Sequence, residues 1–197
     1  MSMRDQRGFT LIDILVVVAI MGIVAAVAIP MTASSLGAFQ FQGDGENLAN
    51  TVKLAKMRAT ATFSRARVRA DLNVGTYQLE VLNRATNTWT MEGGVLPLSS
   101  VSAFDFGGLA TPPPNTQAAI GFSDVCDDGA GNAIANTACV IFNSRGLPVD
   151  AAGELTGGNG LYVTDGVGVY GVTVTTTPLV RLWWTSAAGT GAAWDER

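Results

Sequence analysis

The residue with the clearest chemical potential is Asp13, because it is the one charged residue in the apolar run from Phe9 to Ile29. A carboxylate in the middle of a membrane costs about 2.5–3.5 kcal/mol on insertion scales, and less near the end of a helix. An ionisable group in such a segment therefore indicates a function that involves a partner of opposite charge. Cleavage between Gly8 and Phe9 would create such a group, since a new α-amino group would appear four residues before Asp13.

The element that must position Asp13 is a membrane-spanning helix. At about 1.5 Å per residue, a helix over Phe9–Ile29 spans roughly 30 Å, the thickness of the hydrocarbon core of a bilayer. The N-terminal flank carries Arg4 and Arg7 against Asp5, which predicts a cytoplasmic N-terminus and a chain that then crosses the membrane. A secretory signal usually has a shorter apolar core, and a buried core helix is usually amphipathic, so both alternatives fit this run less well.

The segment Arg7-Gly8-Phe9-Thr10-Leu11-Ile12-Asp13 resembles the prepilin peptidase motif of type IV pilins and type II secretion pseudopilins. The resemblance implies that prepilin peptidase cuts between Gly8 and Phe9, removes residues 1–8 as a leader, and that Phe9 is then N-methylated. It also implies that Asp13 pairs with the N-terminal amine of a neighbouring subunit, although the family has a Glu there, one methylene longer. Residues 9–30 would then form the transmembrane and assembly helix, and residues 31–197 a periplasmic domain.

The soluble part begins with a second helical signal, over about Glu46–Ser64. Its apolar residues follow helical spacing along one face and are Leu48, Val52, Ala55, Ala59 and Phe63. The preceding stretch, Met31–Gly45, is mixed, with two serines and three glycines that loosen the helical pattern. The apolar stripe predicts that this helix packs against a sheet.

After Arg65 the apolar residues recur at every second position, which is typical of strands. A strand over Arg65–Leu72 and another over Tyr77–Val81 predict a hairpin, and Gly93-Gly94 is expected to end this group of strands. Further strands are predicted at Thr88–Met91, Val101–Phe106, Ala118–Phe122, Ala138–Phe142, Leu161–Thr164, Val167–Thr175 and Leu179–Trp184. The tail from Thr185 is expected to fray. The predicted fold class is α+β: a long N-terminal hydrophobic helix that continues into an amphipathic helix packed on antiparallel sheets.

The segment Ile141–Pro148 resembles the strand and glycine turn of the GspH/FimT family of minor pilins and pseudopilins. This resemblance implies a minor subunit that initiates or caps a type IV pilus or the pseudopilus of type II secretion. The implied partners are prepilin peptidase and other major and minor pilins or pseudopilins. The implied location is the inner membrane, crossed once with the C-terminal domain in the periplasm, and then the filament.

Two cysteines, Cys126 and Cys139, flank a short segment rich in small and polar residues. In a domain outside the cytoplasm, this arrangement predicts a disulfide that closes a surface loop. The alternative is two unrelated buried thiols. A zinc site is disfavoured, because two thiolates without histidine leave the tetrahedral shell incomplete.

The sequence contains no histidine, which removes the commonest general base and the commonest metal ligand. A Ser-His-Asp triad is therefore excluded. Asp124, Asp127 and Asp128 with Asn132 could suggest calcium, but they lack the spacing and the closing glutamate of an EF-hand loop. We expect no enzyme activity, no metal and no cofactor.

DNA binding is the alternative function. Arg65, Arg67 and Arg69 alternate along one predicted strand, and Arg181 precedes Trp183-Trp184, where a cation lies beside a stacking surface. The FimT branch includes minor pilins that bind DNA in natural transformation. The net charge of −4 opposes phosphate binding, and alternating arginines are more typical of a solvated strand face.

Overall fold

A computed structural model describes residues 11–186 and 193–197. The predicted cleavage site at Gly8 and Phe9 lies outside these residues. The chain divides into two units, Met1–Phe39 and Gln40–Arg197, and each is described by itself. The sequence predicted a boundary near Met31, which lies inside the first unit.

One helix, α1 (Leu11–Ala61), begins in the first unit and ends in the second. The predicted continuation of the hydrophobic helix into the amphipathic helix is confirmed, and the serines and glycines of Met31–Gly45 do not interrupt it. A glycine costs about 1 kcal/mol in a helix relative to alanine, which α1 tolerates. At Gly45 the small residue is required by packing, since a Cβ there would lie 2.7 Å from Cγ of Tyr170.

The C-terminal end of α1 differs from the prediction at Phe63. Phe63 has a φ of 50°, a left-handed conformation that ends the helix, and its side chain is 73% exposed instead of extending the apolar stripe. The other four residues of the stripe are fully buried, as predicted. Ser64 then donates a hydrogen bond from Oγ to the carbonyl oxygen of Leu82, at 2.6 Å, and this contact leads the chain into the first strand.

Ten strands follow α1 within the described residues. They are β1 (Ala66–Asp71), β2 (Thr76–Asn83), β3 (Thr88–Pro97), β4 (Ala103–Phe104), β5 (Thr137–Phe142), β6 (Pro148–Val149), β7 (Asn159–Thr164), β8 (Gly168–Val174), β9 (Val180–Ser186) and β10 (Asp195–Glu196). All strand pairs are antiparallel. They form two five-stranded sheets, in the orders β3-β2-β1-β5-β6 and β10-β9-β8-β7-β4.

The first sheet is centred on β1, in which Val68 pairs with Leu79 of β2 on one side and with Val140 of β5 on the other. The predicted hairpin is confirmed. The prediction that Gly93-Gly94 ends the meander is wrong, because β3 continues to Pro97 with a change of register opposite Gln78 and Leu79. The two glycines have positive φ angles of 83° and 94°, which only glycine adopts without strain.

The second sheet contains the predicted strands at β7, β8 and β9, and β4 is shorter than predicted. No strand forms at Ala118–Phe122. This segment is held by side-chain hydrogen bonds and not by backbone pairing with a neighbouring strand. Gln117 donates from Nε2 to the carbonyl oxygens of Gly121 and Gly158. The prediction of a frayed tail is wrong for residues 193–197, because Asp195 and Glu196 pair with β9.

A single hydrophobic cluster joins the second part of α1 to both sheets. Its members include Leu48 and Val52 from α1, Val68 from the first sheet, and Leu161 and Val172 from the second. All five side chains are buried. The α+β prediction, an apolar N-terminal helix followed by a helix packed on antiparallel sheets, is confirmed.

Candidate functional site

The first candidate feature is the apolar segment Leu11–Ile29 of α1, which is long and apolar enough to cross a membrane. None of this segment is buried within the described residues. Burial of apolar surface is worth about 25 cal/mol per Å², so a fully exposed apolar helix is stabilised only by lipid or by other helices. The predicted span is confirmed as a candidate membrane helix.

Asp13 lies in the first turn of α1 as the structure describes it. The role that the sequence suggests for Asp13, as the partner of a neighbouring subunit's amine, is a property of an assembly and stays a prediction.

The second feature is the loop closed by the two cysteines. Cys126 and Cys139 form a disulfide, as predicted. The loop is also hydrogen-bonded internally, since the nitrogen of Ile134 donates to the carbonyl oxygen of Cys126 at 2.7 Å. The carboxylate of Asp128 accepts hydrogen bonds from the side chain and backbone of Asn132, and these lower the pKa of Asp128. The disulfide and these hydrogen bonds therefore fix the conformation of the loop.

The acidic residues of this loop contact other groups of the chain. Within the described residues, no group of three or more His, Cys, Asp or Glu side chains is arranged to hold a metal ion. The carboxylate of Asp128 accepts hydrogen bonds from Asn132. The carboxylate of Asp127 lies 3.6 Å from Nη1 of Arg67.

The third feature is a buried polar cluster around Arg67 of β1. Arg67 donates from Nε to Oε2 of Glu80 at 2.6 Å and from Nη1 to the carbonyl oxygen of Asp127 at 2.8 Å. The Trp89 ring covers the guanidinium, with its centroid 3.9 Å from Cζ. Burial lowers the pKa of Arg67, and the nearby carboxylate of Glu80 opposes this effect. The cluster joins β1, β2, β3 and the disulfide loop.

The expectation of a solvated arginine face is therefore wrong for Arg67, which is among the largest fully buried side chains. The sequence analysis also missed the partners Glu80, Trp89 and Asp127. The alternation of β1 and β2 places Arg67 and Glu80 on a polar face correctly, but it carries no signal that Trp89 and the disulfide loop cover that face.

Of the remaining arginines of the DNA hypothesis, Arg69 lies in the first sheet, Arg181 in the second, and Arg65 just before β1, and they engage other groups. Nη1 of Arg69 lies 3.6 Å from Oε1 of Glu80. Nε of Arg181, on β9, lies 3.5 Å from Oε1 of Glu196, and its Cζ lies 5.9 Å from the Trp183 ring. Arg65, before β1, donates from Nη1 to the carbonyl oxygen of Ala151. The described structure does not bring the four arginines together.

Comparisons with known proteins agree with the N-terminal signal. The family described as the prokaryotic N-terminal methylation motif matches residues 3–29, a range that includes Gly8, Phe9 and Asp13. Among solved structures, the minor pseudopilin EpsH from the type 2 secretion system of Vibrio cholerae is similar, with a TM-score of 0.38 and 10% identity. That match covers 80% of this chain and 96% of the other. At this TM-score the structural likeness carries no functional argument.

Proposed function

Because the chain carries the N-terminal methylation motif, a type IV pilin signal, we propose that it is a structural subunit of a pilin-like filament. The observation that carries the proposal is the overlap of that motif with the exposed apolar segment Leu11–Ile29. Such a helix can lie in the membrane before assembly and pack against other helices afterwards. The proposed role is structural and requires no catalytic group in this chain.

The proposal includes removal of a leader at residues 1–8. The Gly8-Phe9 pair lies where the charged flank meets the apolar run, which supports cleavage between these residues by a prepilin peptidase and N-methylation of Phe9. Mass spectrometry of the membrane-extracted chain should find a methylated Phe9 as the first residue. An intact Met1, or cleavage after Ala28, would overturn the assignment.

Asp13 is proposed to guide assembly by pairing with the Phe9 amine of a neighbouring subunit. The cleaved chain would carry this positive amine at the edge of the apolar segment. A charge drawn into an apolar layer is costly, and an opposite charge at short range offsets part of that cost. Asp13 is the only acidic residue between Phe9 and Ile29, so within this segment it alone can supply the carboxylate.

Replacement of Asp13 separates insertion from assembly. Asp13→Ala should leave membrane insertion and leader cleavage intact, because both depend on the apolar run and the flank. The same change should sharply reduce co-purification with other pilins, and Asp13→Glu, the control with the charge retained, should assemble at least as well as the parent. Normal assembly of Asp13→Ala would show that the subunit enters the filament through its C-terminal domain.

The finer proposal is a minor subunit that initiates or caps a type IV pilus or a type II secretion pseudopilus. It is supported by the resemblance of Ile141–Pro148 to the GspH/FimT family. Before assembly the chain would cross the inner membrane once, with the domain in the periplasm, and its partners would be other pilins or pseudopilins. Quantitative mass spectrometry of sheared filaments should find far less than one copy per major subunit. Stoichiometric amounts would instead identify a shaft subunit.

A further inference from the structure

A groove lined by two arginine side chains lies at one end of the first sheet, beside the C-terminal end of α1. Two cavities of about 300 and 310 Å³ share Arg65, Leu82 and Asn87 in their walls. The larger one is also lined by Arg84, Asn143 and Ser144. We call this larger cavity the Arg65–Arg84 groove.

The walls of the groove are held in place. Asn87, in the turn between β2 and β3, donates from Nδ2 to the carbonyl oxygen of Gly129 at 2.6 Å, and this bond ties the turn to the disulfide loop. On the other side, Oδ1 of Asn143 accepts hydrogen bonds from the backbone nitrogens of Arg145 and Leu147 at 2.9 and 3.1 Å. The groove is therefore formed by fixed turns, and a ligand would meet a shaped surface.

The charged groups that line the groove are both cations, Arg65 and Arg84, beside neutral serine and asparagine side chains that can donate or accept. Arg84 makes no hydrogen bond or ion pair within the described residues. Arg65 donates one bond, from Nη1 to the carbonyl oxygen of Ala151 at 3.0 Å, and a guanidinium has five N–H donors. Nδ2 of Asn143 has no hydrogen-bond partner within the described residues, so it is also available to donate. No carboxylate lines the larger cavity, and in the smaller one Asp127 faces Arg67.

An acceptor with negative charge matches this set of donors. A carboxylate accepts only, and a single guanidinium can bind it through two parallel N–H···O hydrogen bonds. A nucleic acid backbone needs several cations in succession. Here Arg67, Arg69 and Arg181 already face Glu80 or Glu196, and the net charge is −4. The groove can thus neutralise one or two acidic groups, but it lacks the row of further cations that a chain of phosphates would require.

We propose that the Arg65–Arg84 groove is a binding site for a carboxylate presented by a protein partner, as in an acidic peptide segment. This inference does not rest on the proposed function, since it uses only the globular unit. The sequence analysis missed Arg84. The only feature that could have indicated its exposure is its position in the turn between β2 and β3.

The test is an NMR titration of the detergent-solubilised full chain with the blocked peptide acetyl-Gly-Glu-Gly-Glu-Gly-amide. Saturable shifts are expected for the guanidinium N–H groups of Arg65 and Arg84 and for the side-chain amide of Asn143. Arg84→Gln should weaken the affinity by up to about fivefold, as loss of an exposed ion pair does, and the double variant with Arg65→Gln should abolish it. Arg145→Gln, an equal change of charge on an exposed side chain outside the lining, should have little effect.

Each alternative has its own outcome. Absence of saturable shifts, or equal weakening by Arg145→Gln, would overturn the proposal, since the second result would indicate a general field effect. Equal binding of the same peptide with Gln in place of Glu would also overturn it, because the carboxylate would then be irrelevant. Tighter binding of inorganic phosphate would reassign the groove to a free anion, and tighter binding of duplex DNA would reassign it to nucleic acid. An unchanged disulfide and near-ultraviolet spectrum would show that the variants are folded.

Discussion

The buried ion pair between Arg67 and Glu80 should dominate the response of the globular unit to mutation. The side chains of the pair are only 1% and 6% exposed, and the 2.6 Å contact between them is the shortest ion-pair contact of either charge, so each is the main compensation for the other. Arg67→Met keeps most of the side-chain volume beneath Trp89 but leaves the Glu80 carboxylate buried. Removal of one partner from a buried pair typically costs 3–5 kcal/mol in the free energy of unfolding.

Replacement of both partners should behave differently. Arg67→Met combined with Glu80→Met removes both charges, and such replacements are often neutral or stabilising. Arg69 and Gln78 then lose their contacts with the Glu80 carboxylate, at 3.6 and 2.5 Å, so we expect the double variant to lie within about 1 kcal/mol of the parent. The two single changes should therefore be strongly non-additive.

Urea unfolding of the detergent-solubilised chain, followed by circular dichroism, measures these differences. With an m-value of about 2 kcal/mol per molar urea, a loss of 3–5 kcal/mol lowers the midpoint by roughly 1.5–2.5 M. The control is Arg58→Met, since Arg58 also pairs with a glutamate, Glu92, but their side chains are 44% and 35% exposed. That pair should be worth at most about 1 kcal/mol.

Two results would refute this reasoning. If Arg67→Met costs no more than Arg58→Met, the guanidinium of Arg67 is hydrated and the cluster is open to water. If the double variant loses the sum of the two single losses, the residues are not coupled, and the cost comes from packing against Trp89.

Three further predictions concern the disulfide, the tyrosines and DNA. Replacement of Cys126 and Cys139 by alanine should lower the free energy of unfolding by about 3 kcal/mol, because the bond closes a loop with a sequence separation of 13. Recovery of both cysteines as free thiols in non-reducing peptide mapping would contradict the disulfide itself. Burial raises the pKa of all three tyrosines, so the stability that they contribute is fully present below about pH 10 and declines as the pH rises further. A near-ultraviolet titration should therefore show less tyrosinate in the native chain than in urea at pH 10, and equal ionisation would disprove this burial. The chain should bind duplex DNA weakly at physiological salt, and micromolar binding lost in Arg65→Gln or Arg181→Gln would favour the DNA hypothesis.

The local patterns in the sequence predicted much of the fold. Alternation of apolar residues identified β1 and β2, and helical spacing identified the buried face of α1, because each pattern reports which side of an element meets the core. The apolar run and its basic flank identified the candidate membrane helix. These features depend on residues close together in the chain.

The features that the sequence analysis missed depend on distant contacts. Ala118–Phe122 alternates like a strand, yet Gln117 fixes it through its side chain and no ladder forms. Arg67 lies on the polar face of β1, but that face is covered by Trp89 and Asp127, which come from separate parts of the chain. Gly45 weakens the helical pattern, although the approach of Tyr170 requires it. Periodicity cannot report any of these contacts.

The outer strands of the two sheets limit how copies of this domain can associate. Within the described residues, the outer strands are β3 and β6 in one sheet and β10 and β4 in the other. Three of them are only two residues long, so they offer few free backbone groups to a neighbouring chain. The fourth, β3, is interrupted where Gly93 and Gly94 fall outside the β2 register, and such a bulge twists an edge away from regular pairing.

For a subunit of the proposed filament, this protection of the edges matters. Pilin-like chains would be stored side by side in a membrane and then brought into permanent contact, conditions that favour strand-to-strand aggregation wherever an edge is open. With its edges short or broken, the domain resists growth of a continuous sheet from copy to copy. In the proposed filament, contacts between copies would then be made by the apolar helix and by side chains of the domain, without pairing of strands between copies.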